Sequence, residues 1–318
     1  MNEYFVSVII PTYQRTNFLQ DAIESVLSQE YKNIELIVVD DNAPESHWRE
    51  KTELFMKRYE EIGIVKYIKH KENMGGCAAR NTGIKMAAGE IIAFLDDDDR
   101  WKSDYLAKMI KVFENENVGM VYCHADTQVG EEIYVGNRER WKRGYVYNDI
   151  ISGWCPDSTS LVMVRKACFD TVGLFDVNLK SFQDYDMWLR ITRKFEVDYV
   201  KENLIVKIES HGEQVSMNPY KREAGMEYLK TKWLGQFDEE QKHAFGVFLH
   251  LEERQMRKNY IIYNKKNRIK CNYCKLFNNY CKTEPSIINR VGIVFVILFG
   301  CKIINWVNVL KGSKYTRM

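Results

Sequence analysis

The feature that most constrains this chain is a run of five apolar residues, Ile91 to Leu95, that passes without a break into four carboxylates, Asp96 to Asp99. A continuous apolar run of that length, preceded by Gly89 and followed by charge, reads as a strand buried on both faces. The acids then fall at its C-terminal tip. Adjacent carboxylates repel one another, so a fold that puts them at the end of a core strand gains by holding a cation there. Hard oxygen ligands suit Mg²⁺ or Mn²⁺. A solvated acidic turn is the alternative reading, because Asp also serves turns and helix caps. The surrounding sequence has to decide between the two.

Val6 to Ile10 is a short β-rich run stopped by Pro11, and Asn17 with Gln20 opens a helix whose apolar residues fall at Leu19, Ile23, Val26 and Leu27. Glu35 to Val39 is a second apolar run that ends in paired acids, Asp40 and Asp41. A helix between two such strands makes a βαβ unit and so parallel strands. A third cycle runs through helical residues around Lys51 to Tyr59, a strand over Ile64 to Ile68, the loop Asn73-Met74-Gly75-Gly76, and a helix carrying Ala78, Ala79 and Ile84. Repeated β-α-β predicts an open parallel sheet, and such sheets bind ligands beyond the carboxyl ends of their strands. Pro11 to Arg15, Asp40-Asp41 and Asp96 to Asp99 all fall there, which favours a site over a solvated turn.

Beyond the acids, a helix from about Ser103 to Glu114 presents Leu106, Met109, Ile110 and Phe113 inward, and Val118 to Cys123 reads as a strand. Asp126 to Trp154 weakens into polar and aromatic sequence, predicting loops and short strands over the mouth of the site. Ser158 to Val164 is again strand-like. Phe182 to Arg190 reads as a loop turning into a helix, with Trp188 and Ile191 toward the core and Asp184 near the helix start, where it can cap the helix.

These stretches resemble the family 2 glycosyltransferases of the GT-A fold, bacterial surface-polysaccharide type. The resemblance is carried by Val6 to Asn42, Asn73 to Gly83 (NMGGCAARNTG), Gly89 to Asp99 (GEIIAFLDDDD) and Gln183 to Arg190 (QDYDMWLR), within residues 4 to 217. It implies a mostly parallel central sheet flanked by helices over residues 1 to 220, with a helical basic extension over 221 to 318. The activity it implies is inverting transfer of a hexose from a nucleoside-diphosphate sugar to an acceptor hydroxyl. The donor would be a UDP-sugar such as UDP-Glc, UDP-Gal or an N-acetylhexosamine.

The resemblance also assigns residues. Pro11, Thr12 and Arg15 would lie along the nucleoside, and Asp41, with Asp40 as a possible partner, would accept a hydrogen bond from the uracil ring. Arg80 would approach the nucleotide or order the acidic loop. Asp96 and Asp98 match the DxD pattern, with Asp96 and Asp97 on the nucleotide side, Asp98 on the metal (Mn²⁺ or Mg²⁺) and His211 near metal and diphosphate. Asp184 matches the general base. Gln183 stands where relatives often carry Glu, Asp186 is a nearby rival for the base, and the register Asp97 with Asp99 is an alternative pair. His211 can equally be a surface or helix-end residue.

Charge separates the chain in two. From Arg254 onward there are 14 Lys and Arg against one acid, Glu284, so that part is +13 while the whole is +2. Met226 to Asn264 looks helical, with Phe245, Phe248, Leu249 and Tyr260 interleaved with charge. Cys271 and Cys274 have a Cys-x-x-Cys spacing, but no second pair or His follows at a zinc-like distance. Val291 to Cys301 is shorter than the ~20 residues needed to span a bilayer. It fits an interfacial segment with basic residues toward anionic lipid, or else a buried helix. The apolar segment coincides with the basic region, which argues for a membrane surface and against nucleic acid. Scattered Cys and the absence of a basic-then-apolar leader predict a cytoplasmic chain, peripheral at the inner membrane face. The acceptor expected there is a polyprenyl-diphosphate-linked glycan of an O-antigen or capsule precursor.

Two other classes fit parts of this sequence. A sugar-phosphate nucleotidyltransferase can share the sheet and the metal acid, but Pro11-Thr12-Tyr13 stands where its Gly-rich loop would follow the first strand. A non-catalytic sugar-nucleotide or glycan-binding protein would bind donor without metal-dependent UDP release.

Overall fold

The computed structural model describes residues 3–59, 61–136, 140–208, 218–266 and 315–317. In chain order the first half runs β1 (Val6–Thr12), α1 (Thr16–Leu27), β2 (Ile34–Asp40), α2 (His47–Met56), β3 (Val65–Lys69), α3 (Gly76–Met86) and β4 (Ile91–Phe94). β1 pairs in parallel with β2 and β4, and β2 with β3, as the β-α-β repetition predicts. Every residue of β2 and β4 is buried, which is why both read as unbroken apolar runs and not as alternation. In β2 the exceptions are Asp40 at its end and Glu35 within it. Glu35 is 4% exposed and accepts bonds from Ser7 Oγ (2.5 Å) and the Ala88 amide (2.6 Å), with Lys66 Nζ at 2.6 Å.

Pro11 does not stop β1, which continues to Thr12 with Pro11 opposite Val39. β4 pairs with β1 only as far as Ile9, so the N–H that Pro11 lacks interrupts no ladder.

The second half runs β5 (Asp99–Trp101), α4 (Tyr105–Val112), β6 (Val118–Val129), β7 (Glu132–Gly136), α5 (Tyr147–Ile151), β8 (Val162–Arg165), α6 (Lys166–Val172), α7 (Gln183–Thr192) and β9 (Glu196–Ile208). α8 (Pro219–Trp233), α9 (Glu239–Lys266) and the short β10 (Tyr315–Arg317) complete the described elements. Here the sheet becomes mixed. β8 lies antiparallel between β4 and β6, and the described strand order is β10-β7-β6-β8-β4-β1-β2-β3, with β9 beside β6 and β5.

The stretch from Asp126 onward, expected as loops and short strands, begins as a hairpin. β6 runs six residues past Cys123 and reverses at Gly130, whose φ of +62° suits a residue without Cβ. The pairing is anchored by buried Asp126, which accepts from Lys102 Nζ (2.9 Å), Asn203 Nδ2 (2.7 Å) and the Gly136 amide (3.2 Å).

α8 and α9 pack on the sheet domain and do not stand apart from it. Met226, Leu229, Trp233, Phe245, Phe248 and Leu249 belong to the same contiguous core as β1, β2 and β4. No helix among the described residues is long and apolar enough to cross a membrane. The expected interfacial segment Val291 to Cys301, the cysteines at 271 and 274, and His211 lie outside the described residues.

Candidate functional site

The carboxyl ends of β1, β2 and β4 meet. Thr12 Oγ1 donates to Asp97 at 2.8 Å, and the Asp41 amide donates to the Thr12 carbonyl at 2.9 Å. Pro11 sits half-buried just before this contact. Gln14 takes a left-handed φ of +57° while its amide reaches Asn42 Oδ1 at 3.0 Å. That turn delivers Arg15 to the acids: its guanidinium pairs directly with Asp98 and lies 3.5 Å from Asp97. From α3, Arg80 Nη2 reaches Asp96 Oδ1 at 2.5 Å. Two arginines therefore pair with three of the four clustered acids.

The four carboxylates differ electrostatically. Burial pushes Asp96 up, but the charge and hydrogen bond of Arg80, aided by Thr159, outweigh it and hold the carboxyl below the usual range. Burial raises Asp97 to about 7, against the pull of Arg15 and with the charge of Asp98 adding to the rise. Asp98 is also raised by burial and by the charge of Asp96. Burial raises Asp99 to about 7 against the opposing charge of Lys207. Asp99 differs in place as well, because it starts β5 opposite Lys207 of β9.

Asp40 and Asp41 are held by different partners. Asp40 is fully buried, with its carboxylate on Arg49 Nε (3.1 Å), Tyr67 Oη (2.5 Å) and both amides of Asn42 (2.9 and 2.8 Å). Asp41 Oδ1 accepts from the Met74 amide (2.8 Å) and meets His70 Nδ1 at 2.7 Å, while Oδ2 accepts from the Gly75 amide (2.7 Å) and Asn73 Nδ2 (3.2 Å). A carboxylate has about four lone-pair positions, so Asp41 is saturated by the loop that opens α3. Asp41 thereby fixes the helix that carries Arg80.

Asp184 lies in the first turn of α7 and is half-buried. Its Oδ1 accepts from the Tyr185 amide at 2.9 Å, and no side chain caps the helix. Burial raises its pKa despite that bond and the nearby charge of Arg80, and the charge of Asp96 raises it further. Its rival Asp186 is fully buried and occupied: Arg190 (3.0 Å), Lys232 (2.9 Å) and the Trp233 indole (2.9 Å) all bind its oxygens.

Sequence reasoning missed several neighbours. Ser158, Thr159 and Ser160, expected in a strand, form a 3-10 turn that brings hydroxyls to Asp96: Thr159 Oγ1 at 3.2 Å, Ser158 Oγ at 3.4 Å, and Ser160 Oγ accepting from the Asp96 amide at 3.0 Å. Their small hydroxyl-bearing run was the available signal. Lys207 and His70 carried no local signal, since their roles depend on pairing across the sheet.

No group of three or more His, Cys, Asp or Glu side chains converges to hold a metal among the described residues. The donor set nonetheless fits a hard divalent cation. Asp98 already binds a positive group, the Arg15 guanidinium, and Mg²⁺ commonly takes one or two carboxylates and completes its shell with phosphate oxygens and water.

Comparison with known proteins places the chain in a family and a fold. Residues 7–171 match the model of Glycosyl transferase family 2. A glycosyltransferase of Rickettsia felis is 34% identical over 224 residues, 70% of this chain and 36% of that protein. The chain thus spans about a third of that relative's length. The Escherichia coli protein WfgD, named a UDP-Glc:α-D-GlcNAc-diphosphoundecaprenol β-1,3-glucosyltransferase, is 27% identical over 75% of this chain and 88% of its own. The crystal structure of Staphylococcus aureus TarS residues 1–349 with UDP-GlcNAc superposes with a TM-score of 0.64 at 18% identity, covering 97% of this chain and 92% of that one. The Pyrobaculum calidifontis mannosyltransferase PcManGT, solved with GDP-Man and Mn²⁺, gives 0.59 at 16% identity over 93% and 87%. The fold is that of the GT-A enzymes.

Proposed function

The chain belongs to glycosyltransferase family 2, and from that premise we propose that it transfers a hexose, with inversion, from a UDP-sugar to a hydroxyl of a lipid-linked surface-polysaccharide precursor. The observation that carries the reading is the juxtaposition, at one end of the sheet, of the Arg-paired acids with a half-buried carboxylate, Asp184. Asp184 takes the proton of the acceptor hydroxyl as that oxygen bonds to the sugar's anomeric carbon. The bond to the diphosphate breaks on the opposite face, and one base suffices for a single displacement. Such a base contributes typically about 10²- to 10⁴-fold.

The leaving nucleoside diphosphate gathers negative charge, and Arg15, Arg80 and Lys207 set positive charge beside the acids. Asp98, with His211 from outside the described residues, would hold Mn²⁺ or Mg²⁺. Bound there, the cation supplies Lewis-acid stabilisation of the departing diphosphate. Thr12, Asp96 and Asp97 border the ribose, and Pro11 with Asp41 borders the base, while fully buried Asp40 holds the strand end through Arg49 and Asn42. A base N–H reaches Asp41 by displacing the Asn73 amide, the longest bond of its set at 3.2 Å. Support for the donor comes from the UDP-GlcNAc and GDP-Man held by structural neighbours, and for the lipid-linked acceptor from the name of WfgD. The segment 291–301 would bring the enzyme to the inner membrane face, where such acceptors reside.

A release screen over UDP-, GDP- and dTDP-sugars with and without Mn²⁺ tests the reading. Metal-dependent UDP release from one sugar nucleotide supports it. Pyrophosphate formation from a nucleoside triphosphate and a sugar phosphate, or binding without release, overturns it.

A further inference from the structure

Two non-glycine residues among the described ones have a positive φ: Gln14, which aims Arg15, and Phe182, which precedes Asp184. Phe182 sits at φ +62°, ψ +28°, directly before the first turn of α7, and its carbonyl accepts from the Asp186 amide at 3.0 Å. A bulky residue in the left-handed region is disfavoured and persists only when its surroundings over-determine it. The surroundings here come from α8 and α9.

The Arg222 guanidinium of α8 lies over the Phe182 ring, 4.5 Å from its centroid, and Phe248 of α9 meets the same ring edge-on at 6.2 Å. Arg222 is itself fixed, because both its Nε (3.0 Å) and its Nη2 donate to Glu252 Oε2 of α9. α8 also crosses the backbone before Phe182 so closely that a Cβ on Gly225 would stand 2.9 Å from the Ser181 carbonyl oxygen. One helix turn later Phe248 stacks on Tyr185 at 4.7 Å. These contacts bracket Asp184 on both sides along the chain without touching it.

We infer that Arg222, held by Glu252, is a positioning residue that locks the left-handed Phe182 and so aims the Asp184 carboxylate. The inference rests on the reading of Asp184 as the base. α8 and α9 then do more than pack: they complete the catalytic geometry from sequence beyond the 7–171 match.

The test uses the full chain and compares Arg222→Ala, Arg222→Lys and Glu252→Gln, with Asp184→Asn in parallel. Turnover is read as UDP release from the sugar nucleotide that the release screen selects, and backbone order as amide hydrogen exchange over residues 182–187. Arg222→Ala is expected to lower kcat about 10- to 100-fold, the scale of a small misplacement of a reacting group, with donor KM unchanged. Exchange at the start of α7 should quicken while exchange in β1 and β4 stays slow. Arg222→Lys, which keeps a cation over the ring, should restore part of kcat. Glu252→Gln preserves volume and gives a second route should Arg222→Ala not fold. Normal kcat and normal exchange in Glu252→Gln and in any folded Arg222 variant would overturn the positioning role. So would a parallel loss of kcat and donor affinity that Lys does not rescue. Full turnover in Asp184→Asn would remove the base assignment itself, a different failure.

Discussion

Trp233 donates its indole N–H to Asp186 across 2.9 Å, and that bond gives the two carboxylates of one helical turn, Asp184 and Asp186, different surroundings. With Lys232 and Arg190 on the same carboxylate, Asp186 is the buried counter-charge that ties α8 to α7. Removing one member of such a buried network leaves the others unpaired, at a cost of about 3–5 kcal/mol. Asp186→Asn should therefore lower the thermal midpoint strongly. The folded fraction should retain its turnover, measured below the new midpoint. A stable, inactive variant would place the chemistry at Asp186.

Arg80 and Asp96 should act together on donor binding. Asp96 is held ionised by Arg80, so Arg80→Gln removes both a cation beside the proposed diphosphate position and the partner that keeps Asp96 charged. Truncating one side of a buried charge pair costs about 2–5 kcal/mol in binding. UDP affinity by titration calorimetry with Mn²⁺ should fall at least about tenfold, the equivalent of 1.4 kcal/mol. Unchanged affinity would remove Arg80 from the site.

Acid should weaken the fold through Glu35. Burial pushes this carboxyl up, but bonds from Lys66, Ser7 and the Ala88 amide outweigh it and leave the pKa lowered. A lowered folded-state pKa means that the stabilisation is present at neutral pH, above the unfolded value near 4.3, and is lost as pH falls through the folded value. Glu35→Gln should lose about 1–3 kcal/mol at pH 7 and less as pH falls below about 4. Denaturant melts at pH 7 and at about pH 3 measure both numbers. An equal loss at both pH values would contradict the assignment.

Turnover should have an acid limb displaced upward. Burial raises Asp184, and a base works only when deprotonated, so activity falls as pH drops through a pKa above the usual carboxylate value of about 3.9. The pH profile of kcat at saturating donor reads it, and a flat profile down to pH 4 would contradict it.

Much of this site was legible in the sequence, for definite reasons. Ile91 to Leu95 are all fully buried, so the apolar run and the acids behind it reported their position directly. The parallel pairing of β1, β2, β3 and β4 followed from alternation with helices. β9 did not announce itself, because Lys201, Glu202 and Asn203 interrupt it with polarity and its partners lie far away in sequence. The mixed character of the sheet was hidden for the same reason: β8 is short, and its antiparallel place between β4 and β6 is a tertiary choice. The saturation of Asp41 by His70, Asn73, Met74 and Gly75 likewise depends on how one loop folds over one strand end.

In the proposed mechanism Asp184 takes the acceptor's proton beside a nucleotide site built from the strand-end acids and Arg80. One variant tests it most directly: Asp184→Asn, which preserves shape, removes the negative charge and leaves no buried partner unpaired. Its UDP affinity with Mn²⁺ should stay within about threefold of the parent, and its thermal midpoint should be no lower, because a half-buried carboxyl with a raised pKa costs the fold more than an amide does. Its kcat should fall by about 10²-fold or more. Turnover at the parental rate with the same donor affinity would contradict the account.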